Sequence, residues 1–189
     1  QTWSEPTKIQ NSWFDGSITM TGPKGIRVGG ILGEQRESEV CIENCLNTAD
    51  ISVEASATGG LPHAGGIIGQ VNAAGAKIYL KDCLNVGKIN NISGRGAVAS
   101  ILGRGGEGTS VKVENVYSAS ESYNIAVQMD NNNDLHGKAM VLPTSQLTGF
   151  SGYEWTFLDF DKYWTVVENN TPVLKAFATS IPSLEGYSK

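Results

Sequence analysis

The sequence is built around the segment Gly65-Gly66-Ile67-Ile68-Gly69, followed by Ile78-Tyr79-Leu80-Lys81-Asp82-Cys83-Leu84-Asn85-Val86-Gly87-Lys88-Ile89. Related segments lie on both sides of it, beginning at Gly29-Gly30-Ile31 and at Ala99-Ser100-Ile101. The copies are separated by 38 residues, from Cys45 to Cys83, and then by 33, from Cys83 to Val116. Repeats of this length are typical of stacked supersecondary units rather than of one globular core.

The repeats carry the pattern of strands and not of helices. Ile51-Ser52-Val53-Glu54 and Lys77-Ile78-Tyr79-Leu80-Lys81 alternate apolar and polar residues, and Gly, Asn and Asp separate such runs. Stacking equivalent strands about 4.8 Å apart pairs their backbones and aligns their side chains. We therefore predict an all-β fold, a short parallel β-helix (β-solenoid) of about three to four coils. Its core ladders would be Ile31/Ile67/Ile101 and Cys45/Cys83/Val116.

The repeat pattern resembles a known family. Gly-Gly-Ile-x-Gly, then a variable loop, then Asn/Asp-Cys-x-Asn-x-Gly-x-Ile is similar to the GLUG-motif repeats of bacterial secreted and cell-surface proteins. The resemblance covers residues 12–118 and is strongest over 65–89, while residues 164–175 resemble the tail of such arrays. In the third copy Ala99-Ser100 replaces Gly-Gly. The resemblance implies a right-handed β-helix on an exported protein and no shared catalytic residues.

The chain divides by composition into five segments. We predict an N-terminal cap or first strand, the repeats, a polar hinge, an aromatic-rich C-terminal cap and a linker, over residues 1–12, 13–118, 119–137, 138–178 and 179–189. The cap contains a short helix starting near Thr144 as its N-cap residue, then a final pair of strands around Asn169-Asn170. A linker at the end indicates a module of a larger multidomain chain.

Charge and hydropathy argue against nucleic-acid binding and against a membrane-spanning segment. The 189 residues carry a formal net charge of −5 and no basic cluster, whereas nucleic-acid binding needs a concentrated positive surface. No apolar run is long enough to span a membrane. The 23 glycines fit a turn-rich solenoid.

Three cysteines leave two interpretations open. Cys45 and Cys83 occupy the same repeat position, and a spacing of about 4.8 Å lies within disulfide range. The alternative, which we favour, is a ladder of buried free thiols that pack as small hydrophobic groups. Cys41 lies four residues before Cys45, but the sequence offers no second pair of Cys or His residues to complete a zinc site.

The aromatic residues near the C-terminus also have two interpretations. Trp155, Tyr163 and Trp164 belong to an aromatic cluster that would plug the open end of the solenoid. Alternatively, the three rings form a platform on which a sugar stacks. Trp3 and Trp13 are candidates for covering the opposite end.

One polar segment has the spacing of a calcium loop. Asp130, Asn132 and Asp134 alternate along a turn, as hard oxygen ligands do. Leu135 and Val141 stand where an EF-hand requires Gly and Glu, so an EF-hand is excluded. A solvated turn and an irregular calcium site remain as the two interpretations, and we predict no other cofactor.

No catalytic set is evident in the sequence. The two histidines, His63 and His136, are expected to be solvated loop residues of different units. Glu43, Asp82 and Glu114 fall at or near equivalent repeat positions, where carboxylate pairs for sugar chemistry could form. The alternative is a turn ladder of Asn and Asp with exposed charged neighbours.

These observations favour a non-catalytic module of an exported bacterial surface protein, serving adhesion, glycan binding or domain spacing. Its partner would be an extracellular glycan or a surface protein, and its location secreted or cell-surface. The alternative is a polysaccharide-processing enzyme, a lyase or glycoside hydrolase, or a structural accessory domain of one.

Overall fold

The computed structural model describes residues 6–36, 39–130 and 134–186. It is mainly β, with 49% of residues in strands and 7% in helices, so the expected mainly β fold with parallel sheets is confirmed. The first two repeats contain β1 (Thr7–Gln10), β2 (Trp13–Phe14), β3 (Ser17–Gly22), β4 (Arg27–Gly29), β5 (Leu32–Gln35), β6 (Glu39–Glu43), β7 (Leu46–Asn47), β8 (Asp50–Ala55), β9 (His63–Gly65) and β10 (Ile68–Val71).

The later strands and the two helices follow in the same order along the chain. They are β11 (Lys77–Asn85), β12 (Ile89–Asn91), β13 (Ala97–Ala99), β14 (Leu102–Gly105), β15 (Ser110–Ala119), β16 (Val127–Met129), β17 (Asp134–His136), β18 (Met140–Leu142), α1 (Thr144–Leu147), α2 (Phe150–Trp155), β19 (Trp164–Val167) and β20 (Asn170–Leu174). A short 3₁₀ turn, Lys175–Phe177, comes after them.

Equivalent strands of successive repeats pair in parallel. The largest sheet runs β1-β6-β11-β15-β17, and three smaller ones run β3-β8-β12, β4-β9-β13 and β5-β10-β14-β16. Partners are 33 residues apart at Gln10 and Glu43 and 38 apart at Asn47 and Asn85. Each repeat thus adds one strand to a sheet, and the strands curl into a half-barrel.

The two ladders of the repeat core lie in register. The Ile31 amide donates to the Ile67 carbonyl (3.1 Å) and the Ile67 amide to the Ile101 carbonyl (3.0 Å). Cys83 is paired with Val116, and the Leu84 amide donates to the Cys45 carbonyl. All of these side chains are buried except that of Ile31, which is partly buried in the first repeat.

A second ladder turns the chain at the end of each strand of the large sheet. Asn11, Asn44, Asp82 and Asn115 stand at equivalent positions and all have φ near +50°. Only Gly, Asn and Asp adopt this left-handed conformation readily. The kink reverses which side chain faces inward, so Cys45 enters the core whereas Leu46 points out. The predicted turn ladder of Asn and Asp is therefore present.

Strand pairing continues beyond the predicted repeat region at both ends. β1 already pairs with β6 at the N-terminal side. At the other side β16, β17 and β18 add parallel strands to β14 and β15. Within the segment 119–137, which we expected to be a polar hinge, the described strands β16 and β17 thus extend two of the parallel sheets.

The C-terminal aromatic segment lies along the flank of the stacked strands and does not plug their open end. One buried cluster joins Leu46, Leu84 and Tyr117, which are in register on three successive repeats, to residues of the C-terminal segment: Leu147, Leu158, Phe160, Trp164, Val166 and Leu174. The outward-facing ladder of large apolar residues explains this, because the C-terminal segment buries these side chains by packing against them.

Two smaller expectations for this segment have different outcomes. The final strand pair is confirmed, with β19 and β20 antiparallel around Asn169 at φ +58°. The short helix is also confirmed, but Thr144 is its first residue and Pro143 precedes it as the N-cap residue. The Thr144 hydroxyl is bonded to the Glu121 carboxylate instead of capping the helix. Among the described residues, neither helix is long and apolar enough to cross a bilayer.

Candidate functional site

A hollow of about 580 Å³ lies on the outer face of the large parallel sheet. We call it the outer groove. It crosses five strands, and its central row contains one residue from each of β1, β6, β11, β15 and β17: Lys8, Cys41, Tyr79, Lys112 and His136. Glu39, Glu43, Lys77 and Ser110 line it on both sides of that row.

Strict alternation along the strands aims these side chains outward. In β11 the residues on either side of Tyr79, Ile78 and Leu80, are buried in the interior core. In β15 the same holds for Val111 and Val113, which flank Lys112. Because neighbouring strands are in register, outward residues line up in rows about 4.8 Å apart. The outer groove is therefore a direct consequence of the repeat.

A fixed hydrogen-bonded network stands at one side of the outer groove. The Tyr79 hydroxyl donates to Glu114 Oε2 (2.8 Å), and Lys81 Nζ lies 2.9 Å from Glu114 Oε1. Burial, then the bond to Glu114, raises the pKa of Tyr79 to about 12. The bonds from Lys81 and Tyr79 hold the pKa of Glu114 below its usual value. The Tyr79 ring is thus oriented, and Glu114 is an ionised, occupied acceptor.

The Tyr79 ring also contacts a cation of the neighbouring strand. Lys112 Nζ lies 5.0 Å from the ring centroid, within cation–π distance. An aromatic ring beside exposed ammonium groups offers a ligand both an apolar surface and hydrogen-bond donors.

The thiol in the outer groove is not a nucleophile at neutral pH. Burial and the neighbouring Glu43 carboxylate raise the pKa of Cys41 to about 11. Thiolates and not thiols attack electrophiles, so Cys41 contributes a small apolar wall. All three cysteines are free thiols in the structure, and the disulfide between Cys45 and Cys83 is not formed.

The three carboxylates that fall at or near equivalent repeat positions occupy two adjacent rows, as their spacing in the sequence predicts. Glu43 and Glu114 both pair with Lys81 and so share one outward row. Asp82 is the adjacent kinked residue, nearly buried, where it accepts a bond from Asn115 Nδ2 (2.9 Å). Burial raises the pKa of Asp82. Asp82 therefore belongs to the turn ladder and not to a carboxylate pair.

The structure separates the three predicted aromatic ligand residues by burial. Trp155 ends α2 with 53% of its surface exposed, and Tyr163 is half-buried with Lys162 Nζ 4.7 Å from its ring centroid. Trp164 is completely buried in the flank cluster. Because Trp164 has no exposed face, these three residues do not form a single platform for a sugar.

The predicted calcium segment is only partly described. Asp130 is bonded to Arg104, whose Nε lies 3.0 Å from Asp130 Oδ2. Asn132 lies outside the described residues. The backbone of Asp134 begins β17, but its side chain lies outside the described part of the structure. Within the part of the chain that the structure describes, no group of three or more His, Cys, Asp or Glu side chains is arranged to hold a metal ion.

His63 is not the solvated loop residue that we expected. It lies in β9, nearly buried, with Nδ1 2.8 Å from Oε1 of the fully buried Gln70 on β10. Burial is the main cause that lowers the pKa of His63, and Arg27 and Arg104 add to it. His136, by contrast, is exposed in β17 and lines the outer groove.

The outer groove as a site was missed by the sequence analysis. Its signal was present as the outward positions of the alternating strands, at Lys8, Cys41, Tyr79 and Lys112. Comparisons with family models, with curated proteins and with solved structures give no match to this chain.

Proposed function

We propose that this chain is a non-catalytic β-helical module that binds a linear extracellular glycan in the outer groove. The observation that carries the proposal is the groove itself, which crosses five parallel strands at right angles and holds an oriented tyrosine at its centre. A groove that presents outward side chains at the regular spacing of the strands suits a ligand that is itself a repeating polymer.

The chemistry of the outer groove supports a sugar ligand. The Tyr79 ring supplies an apolar face, while lysine ammonium groups, carboxylates and Ser110 supply donors and acceptors for hydroxyl groups. The strand spacing of about 4.8 Å is close to the length of one sugar ring. The raised pKa of Cys41 and the occupied Glu114 favour binding over catalysis.

The finer fold and the setting of the module are part of the same proposal. Parallel pairing of equivalent strands at repeat spacing supports a right-handed parallel β-helix of the GLUG type. From the sequence resemblance we infer a secreted or cell-surface bacterial protein, with this module as one part of a larger chain that adheres or spaces domains. Calcium at Asp130, Asn132 and Asp134 is a second ligand to be tested.

A polysaccharide-processing enzyme is the second candidate, and one observation favours it. Glu43 and Glu114 lie two strands apart in one row, which places their backbones about 10 Å apart. Carboxyl groups of inverting glycosidases are about 6.5–9.5 Å apart. Release of reducing ends or of unsaturated sugars by the purified protein, and its loss in Glu43→Gln, would establish this candidate.

The test of the binding function is retention of the purified chain by a panel of plant, host and bacterial polysaccharides, with and without calcium. We expect retention by at least one glycan and a loss of affinity of about tenfold in Tyr79→Ala, as for a central aromatic anchor. Trp155→Ala is the matched control, since it removes an exposed aromatic ring away from the outer groove. Binding that is lost in Trp155→Ala and kept in Tyr79→Ala would move the site to the C-terminal segment.

A further inference from the structure

The charged side chains of the outer groove differ in how they are paired. Among the described residues, Lys8, Lys77 and Lys112 form no ion pair, and all three are exposed. Glu43 accepts a hydrogen bond from Gln10 Nε2, a neutral donor that leaves the carboxylate charged. In the same row, Lys81 and Glu114 neutralise each other.

Two lining carboxylates oppose these cations. Glu39 is exposed and stands in register beside Lys77 at the start of β6, and Glu43 lies further along the same strand. The side chains that line the outer groove and form no ion pair within the described part of the chain thus carry three positive charges against two negative. This local excess is opposite in sign to the net charge of the whole chain, −5.

The three ammonium groups are too far apart to be neutralised by one small anion. Lys8 and Lys112 stand in the same row, separated by three strand spacings or about 14 Å. Lys77 precedes Tyr79 by two residues on the same face of β11, about 7 Å along the strand. Anionic groups repeated along a polymer can meet all three, with a sugar ring against Tyr79 between them.

We propose that the ligand of the outer groove is an acidic linear glycan, with uronate carboxylates or sulfate groups that pair with Lys8, Lys77 and Lys112. This inference rests on the proposed glycan-binding function and adds the chemical class of the ligand. Charge complementarity selects the acidic class, and the small number of basic groups selects a glycan over a nucleic acid, which would need a denser basic surface.

The experiment measures affinity by isothermal titration against polygalacturonate, dextran sulfate, neutral dextran and a single-stranded oligonucleotide, each at low and high salt. We expect binding of at least one of the two acidic glycans, weaker at high salt, and weak or no binding of neutral dextran. Comparing polygalacturonate with dextran sulfate then identifies the anionic group, carboxylate or sulfate.

Variants locate the site. Lys77→Ala and Lys112→Ala should each weaken acidic-glycan binding by about twofold to fivefold, the range of an exposed charge pair. Lys112→Arg should retain most of it. Lys88→Ala is the matched control, an exposed lysine outside the outer groove, and should bind as the parent does. Thermal unfolding confirms that each variant is folded.

The outcomes separate this inference from the function on which it rests. Equal binding of neutral and acidic glycans would leave glycan binding intact and overturn the choice of the acidic class. Loss of affinity in Lys88→Ala as large as in Lys112→Ala would overturn the location. Binding of the oligonucleotide without any glycan, or binding of no polymer, would overturn both proposals.

Discussion

A buried contact between two residues, which is the same in the first two repeats and different in the third, allows a quantitative prediction. Gly66 contacts the Asn85 side chain so closely that a Cβ at residue 66 would overlap it. Gly30 and Asn47 repeat this contact one repeat earlier. In the third repeat both members change together, because Ser100 stands in place of Gly66, and its hydroxyl lies 2.6 Å from that of Ser118, in place of Asn85.

The structure gives the size of each single change. Asn85 accepts a hydrogen bond from Asn47 Nδ2 (2.7 Å) and donates to Ser122 Oγ (2.6 Å) and to the Gly87 carbonyl (3.3 Å), all in a buried environment. Asn85→Ser removes these three bonds and should lower the free energy of unfolding by about 2–4 kcal/mol. Gly66→Ser forces a Cβ against Asn85 and the Ser100 carbonyl, at a cost of about 1–3 kcal/mol.

The double variant Gly66→Ser/Asn85→Ser recreates the serine pair of the third repeat. We expect its loss of stability to be smaller than the sum of the single losses by about 1 kcal/mol or more, since the two sites share one contact. The Ser100 carbonyl still opposes the new Cβ, so the parent's stability is not recovered. Urea unfolding followed by circular dichroism measures all four proteins. Strict additivity of the two losses would refute the coupling.

Three further predictions concern single groups. Asp82→Asn should raise stability at pH 7 and have no effect below about pH 4, because burial raises the pKa of Asp82 and the amide removes the buried charge. The free energy of unfolding should fall as the pH drops below about 6.5, because His63 then binds a proton in the unfolded chain, whereas its lowered pKa keeps it neutral in the folded chain. His63→Asn should make the free energy of unfolding depend less on pH in this range. Leu84→Ala should cost about 2–5 kcal/mol and expose the C-terminal segment to limited proteolysis, because Leu84 is fully buried against that segment.

Each of these measurements has a control and a contrary result. For Asp82, an equal gain at pH 3 and pH 7 would show that the charge is not its cause. For His63, the explanation fails if the free energy of unfolding changes equally between pH 7 and pH 5 in the parent and in His63→Asn. For Leu84, the control is Ile92→Ala, at a residue 53% exposed, which should change stability little.

The amount that could be predicted from the sequence follows from which interactions are local or repeated. Alternation and repeat spacing were enough to place Ile67 beside Ile31 and Ile101, because parallel strands in register align identical positions. The turn ladder was also predictable, since only Asn and Asp share the left-handed conformation seen at Asn44 and Asp82.

The remaining features depended on contacts between segments that are distant in sequence. In the sequence, Leu84 is one of several apolar residues of its repeat. Nothing in the residues next to it indicates that residues 147–174 fold back over its side chain. His63 is buried only because the chain reverses at Gly65 and brings Gln70 against it. The outer groove needed five strands side by side, whereas each strand alone shows only a short alternation of outward residues.

The sequence by itself therefore determined the mainly β, parallel, repeating architecture and its register, because a repeat of fixed length with alternating side chains has few other ways to pair its backbone. Only the tertiary structure decided which surface the C-terminal segment covers and which outward row stays open. That choice depends on competition between outward faces for apolar contact: the ladder of Leu46, Leu84 and Tyr117 presents large apolar side chains, whereas the row of Lys8, Tyr79 and Lys112 contains two charged ones.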